Sequence, residues 1–382
     1  MGARLRPRIV VSGVNLVEAG PLAVFKDALS ALADHFADEF DLIALVYRRD
    51  LFDLPQVRLI EFPDVKSSWI RRLHFEYFLC RQLSRDLDAH LWLSMHDITP
   101  NVKARRQAVY CHNPAPFYKL PWREALLDPR FAVFHWMYPL LYRFRIARND
   151  FVIVQQQWIR DEFQRRFPVR QVIVAHPSPP GGVAPAQTPF AEHSSGTACG
   201  PAVFFYPAFA RCFKNAQVLL EAVAALEAQD VHGFEVWLTL SGRENRYARS
   251  LLRRFGHLNN VRWLGSQPRE RVEELYAEAS CLVFPSKLET WGMPISEFKR
   301  TGKQMLIADL PYAHETTGNY DRVEFFAPGD SRRLAELMRG VIDGTLHSIP
   351  ATAVPIPQPF APGWPELFRL LLKTGASEDP IR

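Results

Sequence analysis

Two glutamates eight positions apart are the most informative pair of side chains in the sequence. Glu289 follows the apolar run 281–284, and Glu297 follows the Gly-Met-Pro run 292–294. The apolar run predicts a strand and the proline is typical of a first helical turn, so Glu289 falls in a loop and Glu297 on a helix. Carboxylates accept hydrogen bonds from sugar hydroxyls, and the N–H groups of a helix start favour a phosphate. The spacing indicates a sugar–phosphate ligand, or else a favourable helix charge beside a solvated loop residue.

Two histidines follow apolar runs of the first half. His112 comes directly after the run 106–111, and His96-Asp97 follow the run 89–95. A histidine at the end of a strand can hydrogen-bond a sugar or stabilise charge, and it can equally hold a loop through a structural hydrogen bond. Of the two positions, His112 is the better candidate for a ligand contact.

Short apolar runs alternate with helical stretches along both halves of the chain. The runs are 8–14, 40–47, 89–96, 106–112, 150–156 and 170–176 in the first half, and 201–207, 234–242, 261–265, 281–286 and 303–309 in the second. They are apolar without strict alternation, which is typical of parallel strands buried on both faces. Such alternation predicts a doubly wound α/β sheet in each half, whose ligands bind beyond the carboxyl ends of the strands.

A stretch rich in Pro, Gly and Ser separates the two halves, since thirteen of the 25 residues in 177–201 are of these types. We therefore predict an N-terminal domain over 1–176, a linker over 177–201 and a C-terminal domain over 202–348. Residues 349–382 are a proline-rich segment and a helix expected to cross back to the first domain. Two such domains place a cleft between them.

Composition excludes several classes of protein. With 382 residues, 48% hydrophobic and 23% charged, the chain is typical of a globular protein of two domains. No apolar run reaches the roughly 18 residues of a membrane span. The five scattered cysteines indicate reduced thiols and a cytoplasmic protein, and no clustered ligands indicate a metal site.

Positive charge is concentrated in the first half. Residues 1–175 carry 25 Lys and Arg against 19 Asp and Glu, and residues 176–382 carry 21 against 22. Aromatic residues and arginines interleave over 69–85 and 117–148, which is typical of a face on an anionic membrane or of core helices with solvated arginines. The pI of 8.9 and the lack of a known motif argue against a nucleic-acid partner.

Three stretches of the second half resemble the retaining family-4 (group 1) glycosyltransferases of GT-B fold. Residues 281–309 resemble the family's donor-binding motif, which is Glu, seven residues and Glu with Gly-Met-Pro or Gly-Leu-Pro between them. Residues 204–223 resemble its phosphate-binding segment, and 260–286 resemble the strand, glycine, loop, helix and strand before the motif. The likeness covers most of 201–345 and is looser at 151–163. It implies two Rossmann-like domains that face each other across a cleft.

The resemblance implies a role for each matching residue. Glu297 would hold the ribose hydroxyls of the nucleotide, and Glu289 would lie by the transferred sugar. The backbone of Gly292 and Met293 would contact sugar and phosphate. Lys214 would neutralise the diphosphate, and electrostatics supports this role because a fixed cation stabilises charge that develops on a leaving group.

Four further positions follow from the same resemblance. The family's arginine six residues before the lysine is Ala208 here, so Arg211, or Arg243 of the turn 241–243, is the predicted second phosphate ligand. His112 corresponds to a family histidine near the transferred sugar. Glu18 lies in the first strand-to-helix turn, where it would contact an acceptor hydroxyl.

The resemblance implies a retaining hexosyltransferase that uses a nucleotide-diphosphate sugar and needs no divalent metal or other cofactor. The expected acceptor is a lipid-linked or oligosaccharide hydroxyl in lipopolysaccharide or other cell-surface polysaccharide synthesis, such as O-antigen or capsule. The expected location is the cytoplasm, with possible association at the inner face of the cytoplasmic membrane. The alternatives are a nucleotide-sugar epimerase of the same fold and a non-catalytic sugar- or lipid-binding partner of a polysaccharide assembly complex.

Overall fold

A computed structural model of the chain describes residues 6–17, 19–177, 200–348 and 351–373. The strands in these residues are β1 (Arg8–Ser12), β2 (Asp41–Val46), β3 (Val57–Glu61), β4 (Ala89–Ser94), β5 (Ala104–Cys111), β6 (Phe151–Val154), β7 (Val172–Ala175), β8 (Ala202–Tyr206), β9 (Phe234–Leu238), β10 (Val261–Trp263), β11 (Cys281–Phe284), β12 (Gln304–Ala308), β13 (Val323–Phe326) and β14 (Phe360–Ala361). The α-helices are α1 (Ala19–Phe36), α2 (Trp69–His74), α3 (Cys80–Leu87), α4 (Trp122–Leu127), α5 (Pro129–Arg143), α6 (Gln157–Arg166), α7 (Ala216–Glu227), α8 (Arg246–Phe255), α9 (Arg269–Glu278), α10 (Met293–Lys299), α11 (Pro311–Thr317), α12 (Ser331–Ile342) and α13 (Trp364–Leu372).

These strands form two sheets in which every pairing is parallel. The first sheet has the order β14-β7-β6-β5-β4-β1-β2-β3, and the second has the order β10-β9-β8-β11-β12-β13. Ile9, Val10 and Val11 of β1 are all fully buried. Because successive side chains of a strand point to opposite faces, both faces of the sheet are covered. The predicted doubly wound α/β class is confirmed.

The chain divides into two compact units, one of Met1–Pro116, Met137–Ser178 and Ile356–Arg382 and the other of Phe117–Trp136 and Pro179–Pro355. In the first unit, β14 pairs with β7 and α13 packs against α1. The rings of Phe36 and Phe368 lie 6.0 Å apart at that contact. The C-terminal helix is therefore part of the core of the first unit.

The segment 117–136 packs in the second unit, whereas the sequence analysis assigned it to the N-terminal domain that ends at residue 176. The buried ring of Phe131 lies 4.9 Å from that of Phe213. Nearby, the Arg211 guanidinium donates to both carboxylate oxygens of Asp128 at 2.9 Å. Apolar packing and a bidentate ion pair thus hold a segment from the first half of the sequence in the second unit.

Candidate functional site

The loops that follow β8 and β11 are bonded together at the carboxyl end of the second sheet. The Lys287 amide donates to the Phe213 carbonyl at 2.7 Å. The side-chain amide of Asn215 donates to the Pro285 carbonyl at 3.1 Å. Since β8 and β11 are neighbours in the sheet, these bonds hold the two loops as one platform where a doubly wound sheet binds its ligand.

Lys214 and Glu289 meet on this platform. The Lys214 ammonium donates to Oε1 of Glu289, and the two side chains are only 15% and 12% exposed. The Nζ atom also lies 5.6 Å from the centre of the Phe284 ring. Burial raises the pKa of the Tyr312 hydroxyl, and the Glu289 carboxylate adds to that shift. The structure thus brings together two of the predicted site residues as a largely buried ion pair.

Glu297 lies on the seven-residue helix α10 and is buried. Its Oε1 accepts from Nη1 of Arg269 at 2.6 Å, and its Oε2 accepts from the Tyr276 hydroxyl at 2.9 Å. Burial and then the Glu297 charge raise the pKa of Tyr276. A carboxylate oxygen has two acceptor positions, so one remains on each oxygen of Glu297 for a ligand. The spacing of the two glutamates could not predict Arg269 or Tyr276 as partners, because both belong to α9, which precedes the motif in the sequence.

Gly292 provides the turn between the two glutamates. Its φ is +83° and its ψ is 57°, a left-handed conformation that glycine adopts without steric cost. A Cβ atom there would lie 3.2 Å from Cδ1 of Ile295. Met293 then begins α10, and the Trp291 indole N–H donates to the Ser296 hydroxyl at 2.8 Å. A larger residue at 292 would therefore displace the start of α10.

Arg211 is held by Asp128, a partner that the sequence analysis did not identify. Asp128 is buried, and the Arg211 side chain is 41% exposed. Lys287 is paired in the same way, because its Nζ lies 3.1 Å from Oε1 of Glu124. Both carboxylates belong to the segment 117–136, so two cations beside the platform are neutralised by one segment.

The turn after β9 places Arg243 at an exposed position. Gly242 precedes it with φ +78°, and a Cβ atom there would lie 2.7 Å from Cβ of Leu252. Ala208, which stands where the family arginine was expected, is buried, and its amide donates to the Thr239 hydroxyl at 2.8 Å. Position 208 therefore contributes backbone to the structure and no charge.

In the first unit, Asp97 organises the loop that carries His112. One Asp97 oxygen accepts from the amides of His112 (2.7 Å) and Asn113 (3.2 Å) and from the Tyr142 hydroxyl (2.9 Å). The other oxygen lies 3.6 Å from Nε2 of His112. His112 is 24% exposed and Asp97 is 5% exposed. A buried carboxylate therefore fixes the backbone of His112 and lies near its imidazole, which remains partly accessible.

His96, the second histidine candidate, is fully buried behind these residues. Its Nε2 lies 3.2 Å from the Ser12 hydroxyl and 3.4 Å from Oε1 of Glu76. Nε of Arg72 lies 2.8 Å from the same glutamate oxygen. Burial lowers the pKa of His96 and raises that of Glu76 to about 7. Because His96 is buried, it supports the strand ends and does not contact a ligand.

Glu18 and residues 178–199 of the predicted linker lie outside the described residues. Among the residues that are described, no group of three or more His, Cys, Asp or Glu is placed to hold a metal ion. None of the helices in that part of the chain has the length and apolar character of a membrane span.

Comparisons with known proteins agree with this architecture. Residues 192–348 match the family model described as glycosyl transferases group 1. The fold is similar to that of sucrose-phosphate synthase from Thermosynechococcus elongatus (TM-score 0.61, 14% identity, 89% of this chain and 90% of that chain). It is also similar to HepE of Anabaena in complex with UDP and glucose (TM-score 0.59, 15% identity, 89% of this chain and 91% of that chain). A third similar structure is WaaG, a glycosyltransferase involved in lipopolysaccharide biosynthesis (TM-score 0.58, 15% identity, 88% of this chain and 90% of that chain). No curated protein matches significantly. The predicted GT-B fold is confirmed.

Proposed function

We propose that the chain, whose residues 192–348 match the family model of group 1 glycosyl transferases, moves a sugar from a nucleotide-diphosphate sugar to an acceptor hydroxyl with retention at the anomeric carbon. The observation that carries the proposal is the ion pair of Lys214 and Glu289 at the carboxyl ends of β8 and β11. The complexes of Anabaena HepE with UDP and with UDP-glucose support a nucleotide-sugar donor for this fold.

The donor would be held by residues of the second unit. The remaining acceptor positions of Glu297 suit ribose hydroxyls, because Arg269 and Tyr276 fix the carboxylate and leave one lone pair on each oxygen. The backbone of Gly292 and Met293 would contact sugar and phosphate. Arg211 adds a second cation for the diphosphate, because only its Nη1 is bonded to Asp128 and other guanidinium N–H groups remain. Arg243 is the exposed alternative.

The reaction would need no protein nucleophile. The acceptor oxygen bonds to the anomeric carbon on the face from which the diphosphate leaves, the bond from that carbon to the phosphate oxygen breaks, and the acceptor proton passes to the departing phosphate. Lys214 stabilises the charge that develops on the phosphate, and Glu289 orients Lys214 and lies beside the sugar. His112, oriented by Asp97, would bond the transferred sugar.

We further propose that the chain transfers a hexose in the synthesis of lipopolysaccharide or another cell-surface polysaccharide. The support is the similarity in fold to WaaG, a glycosyltransferase involved in lipopolysaccharide biosynthesis, and to WaaB, a lipopolysaccharide outer core galactosyltransferase. The acceptor would be a lipid-linked or oligosaccharide hydroxyl, presented at the cytoplasmic side of the membrane. We propose no divalent metal in the transfer, because the cations of the chain serve the diphosphate, so activity should survive EDTA.

A two-step experiment tests the proposal. A thermal-shift screen with UDP-, GDP- and dTDP-sugars identifies the donor, because a ligand that binds only the folded protein raises its Tm. The selected donor is then incubated with and without hydroxyl acceptors, and the anomeric configuration of the product is determined by NMR. Transfer with retention supports the proposal. Conversion of the donor sugar without acceptor would show an epimerase, and binding without any turnover would show a non-catalytic protein.

A further inference from the structure

Large apolar side chains are exposed on two helical segments of the first unit. Trp69 and Ile70 begin α2, and Phe78 lies in the single π-helical turn that links α2 to α3. Met137 and Leu140 lie on α5, and Phe144 follows it. These six side chains are between 42% and 81% exposed. Together with the exposed Arg81, Arg85, Arg143 and Arg148, they form a surface that we call the aromatic–arginine face. A monomeric soluble protein rarely exposes a group of large apolar side chains without a binding role.

The two helical segments are fixed to one another. The rings of Tyr77 and Phe144 meet edge to face with centroids 5.1 Å apart. Asn101 bonds both segments, because its Nδ2 donates to the Tyr77 carbonyl at 3.1 Å and its Oδ1 accepts from Nη2 of Arg145 at 2.8 Å. The exposed side chains therefore belong to one surface.

The exposed charge on this surface is mainly positive. The acidic residues in 69–88 are Glu76, which is fully buried beside Arg72, and Asp86 and Asp88 at the end of α3, which are exposed, and residues 137–148 contain no acidic residue. Arg81, Arg85, Arg143 and Arg148 are exposed on the same segments. Arg71 is excluded from this set, because it lies 3.5 Å from Asp64.

We propose that the aromatic–arginine face binds the surface of a bilayer that contains anionic lipids, with α2 and α5 lying in the plane of the interface. Apolar side chains with a tryptophan among them, flanked by arginines, match the boundary between acyl chains and anionic headgroups. A second copy of this chain is the weaker fit, because in a self-complementary interface the arginines would face arginines and the apolar part of the face carries no carboxylate to pair with them. This inference goes beyond the proposed function and does not rest on it.

Flotation with lipid vesicles tests the proposal. The full chain is mixed with vesicles of phosphatidylcholine alone or of phosphatidylcholine with phosphatidylglycerol, and the bound fraction is measured at low and high salt. The wild-type chain should bind the anionic vesicles and bind them less at high salt. The double variant Ile70→Ser/Leu140→Ser should lower the partition coefficient at least about tenfold, because two exposed apolar side chains no longer enter the bilayer.

Matched variants separate this surface from general effects. Val354→Ser removes an exposed valine of the second unit, and Arg253→Gln/Arg332→Gln removes two exposed arginines there. These controls should bind vesicles like the wild-type chain, whereas Arg81→Gln/Arg85→Gln should bind several-fold more weakly. Circular dichroism and the Tm show whether each variant is folded.

Three results would overturn the proposal. The first is a wild-type chain that stays unbound with anionic vesicles at low salt. The second is an Ile70→Ser/Leu140→Ser variant that is folded and binds as tightly as the wild type. The third is light scattering that shows a wild-type dimer converted to monomer by this double variant, since the face would then join two copies. None of these outcomes concerns sugar transfer, which is measured separately with a soluble acceptor.

Discussion

The two units carry different kinds of polar site at the carboxyl ends of their strands. In the second unit, the charged groups of the platform stand in pairs of opposite sign, such as Lys214 with Glu289 and Arg269 with Glu297. In the first unit, one carboxylate, Asp97, accepts from two amides and a hydroxyl and orients His112. The second unit thus presents pairs of opposite charge, and the first presents a single carboxylate that is held by uncharged donors.

This difference indicates different ligands. A diphosphate can exchange with the carboxylate partner of a lysine or arginine, because both anions use the same donors. A sugar hydroxyl carries no charge and is bound by hydrogen-bonding groups that are fixed in position, such as a histidine in a loop that a buried carboxylate holds. The comparison therefore predicts that charge-changing substitutions act most strongly in the second unit.

Removing the cation of the platform should have the largest effect. Lys214→Ala should lower kcat about 100- to 1000-fold with little change in KM for the donor, because the charge on the leaving phosphate loses its stabilising partner. Steady-state rates with the donor from the screen measure this. Arg253→Ala, an exposed cation of α8, should be unaffected. An unchanged kcat in Lys214→Ala would remove this residue from the site.

Glu297→Gln should have the next largest effect and should act on binding. The substitution keeps the shape and removes the charge that Arg269 and Tyr276 hold in place, so nucleotide affinity should fall about ten- to a hundredfold. Calorimetry with the nucleoside diphosphate measures it. Glu273→Gln is the matched control, because Glu273 also accepts from Arg269, at 2.9 Å, but is exposed. Equal affinity in Glu297→Gln and wild type would contradict the assignment.

The sequence predicted most of the fold because most strands are buried on both faces. Each of the eleven apolar runs overlaps a strand of the structure. The three strands that were missed, β3, β13 and β14, are all at sheet edges. Edge strands are covered on fewer sides and carry charge, as Arg58 and Glu61 do in β3, and β14 has only two residues. Their sequences therefore lack the apolar run that marks a central strand.

The site was predicted only in part. Glu289, Glu297 and Lys214 were predicted because they lie in stretches that resemble family motifs with fixed spacing. The partners Asp128 of Arg211 and Arg269 of Glu297 lie 83 and 28 residues away in sequence. Such pairs are formed by packing between elements, and a single sequence does not show which elements will meet. The placement of 117–136 in the second unit was missed for the same reason.

Asp128→Asn should produce a smaller effect in the same unit. The pair with Arg211 is partly exposed, so its loss changes the binding of a diphosphate only about threefold. We expect a weaker affinity, because Asp128 fixes the guanidinium and the amide fixes it less well. Inhibition by the nucleoside diphosphate measures this, with Arg211→Ala as the reference for complete loss. Binding that is tighter in Asp128→Asn would show that the carboxylate competes with the ligand instead of orienting Arg211.

The smallest effect should come from the first unit and should depend on pH. Burial raises the pKa of Glu76 to about 7 from 4.5. Between these two pH values the folded chain therefore binds more protons than the unfolded chain. The stability that protonated Glu76 contributes to the folded state is lost as the pH rises to about 7. The lowered pKa of His96 has the opposite effect on stability. Below about pH 6.5 the histidine is protonated in the unfolded chain but not in the folded chain, so the folded state becomes less stable as the pH falls.

Glu76→Gln isolates the glutamate contribution. Glutamine cannot ionise, so the variant should match the wild type near pH 5 and exceed its Tm by about 2 to 4 °C near pH 8. His96 and Arg72 are present in both proteins and contact Glu76, so the difference reports the ionisation of Glu76 together with its coupling to these two residues. Glu366→Gln, an exposed glutamate of α13 in the same unit, should show no such trend. A Tm difference that is constant with pH would show that Glu76 is ionised throughout this range, and the first unit would then hold a buried charge pair like those of the second.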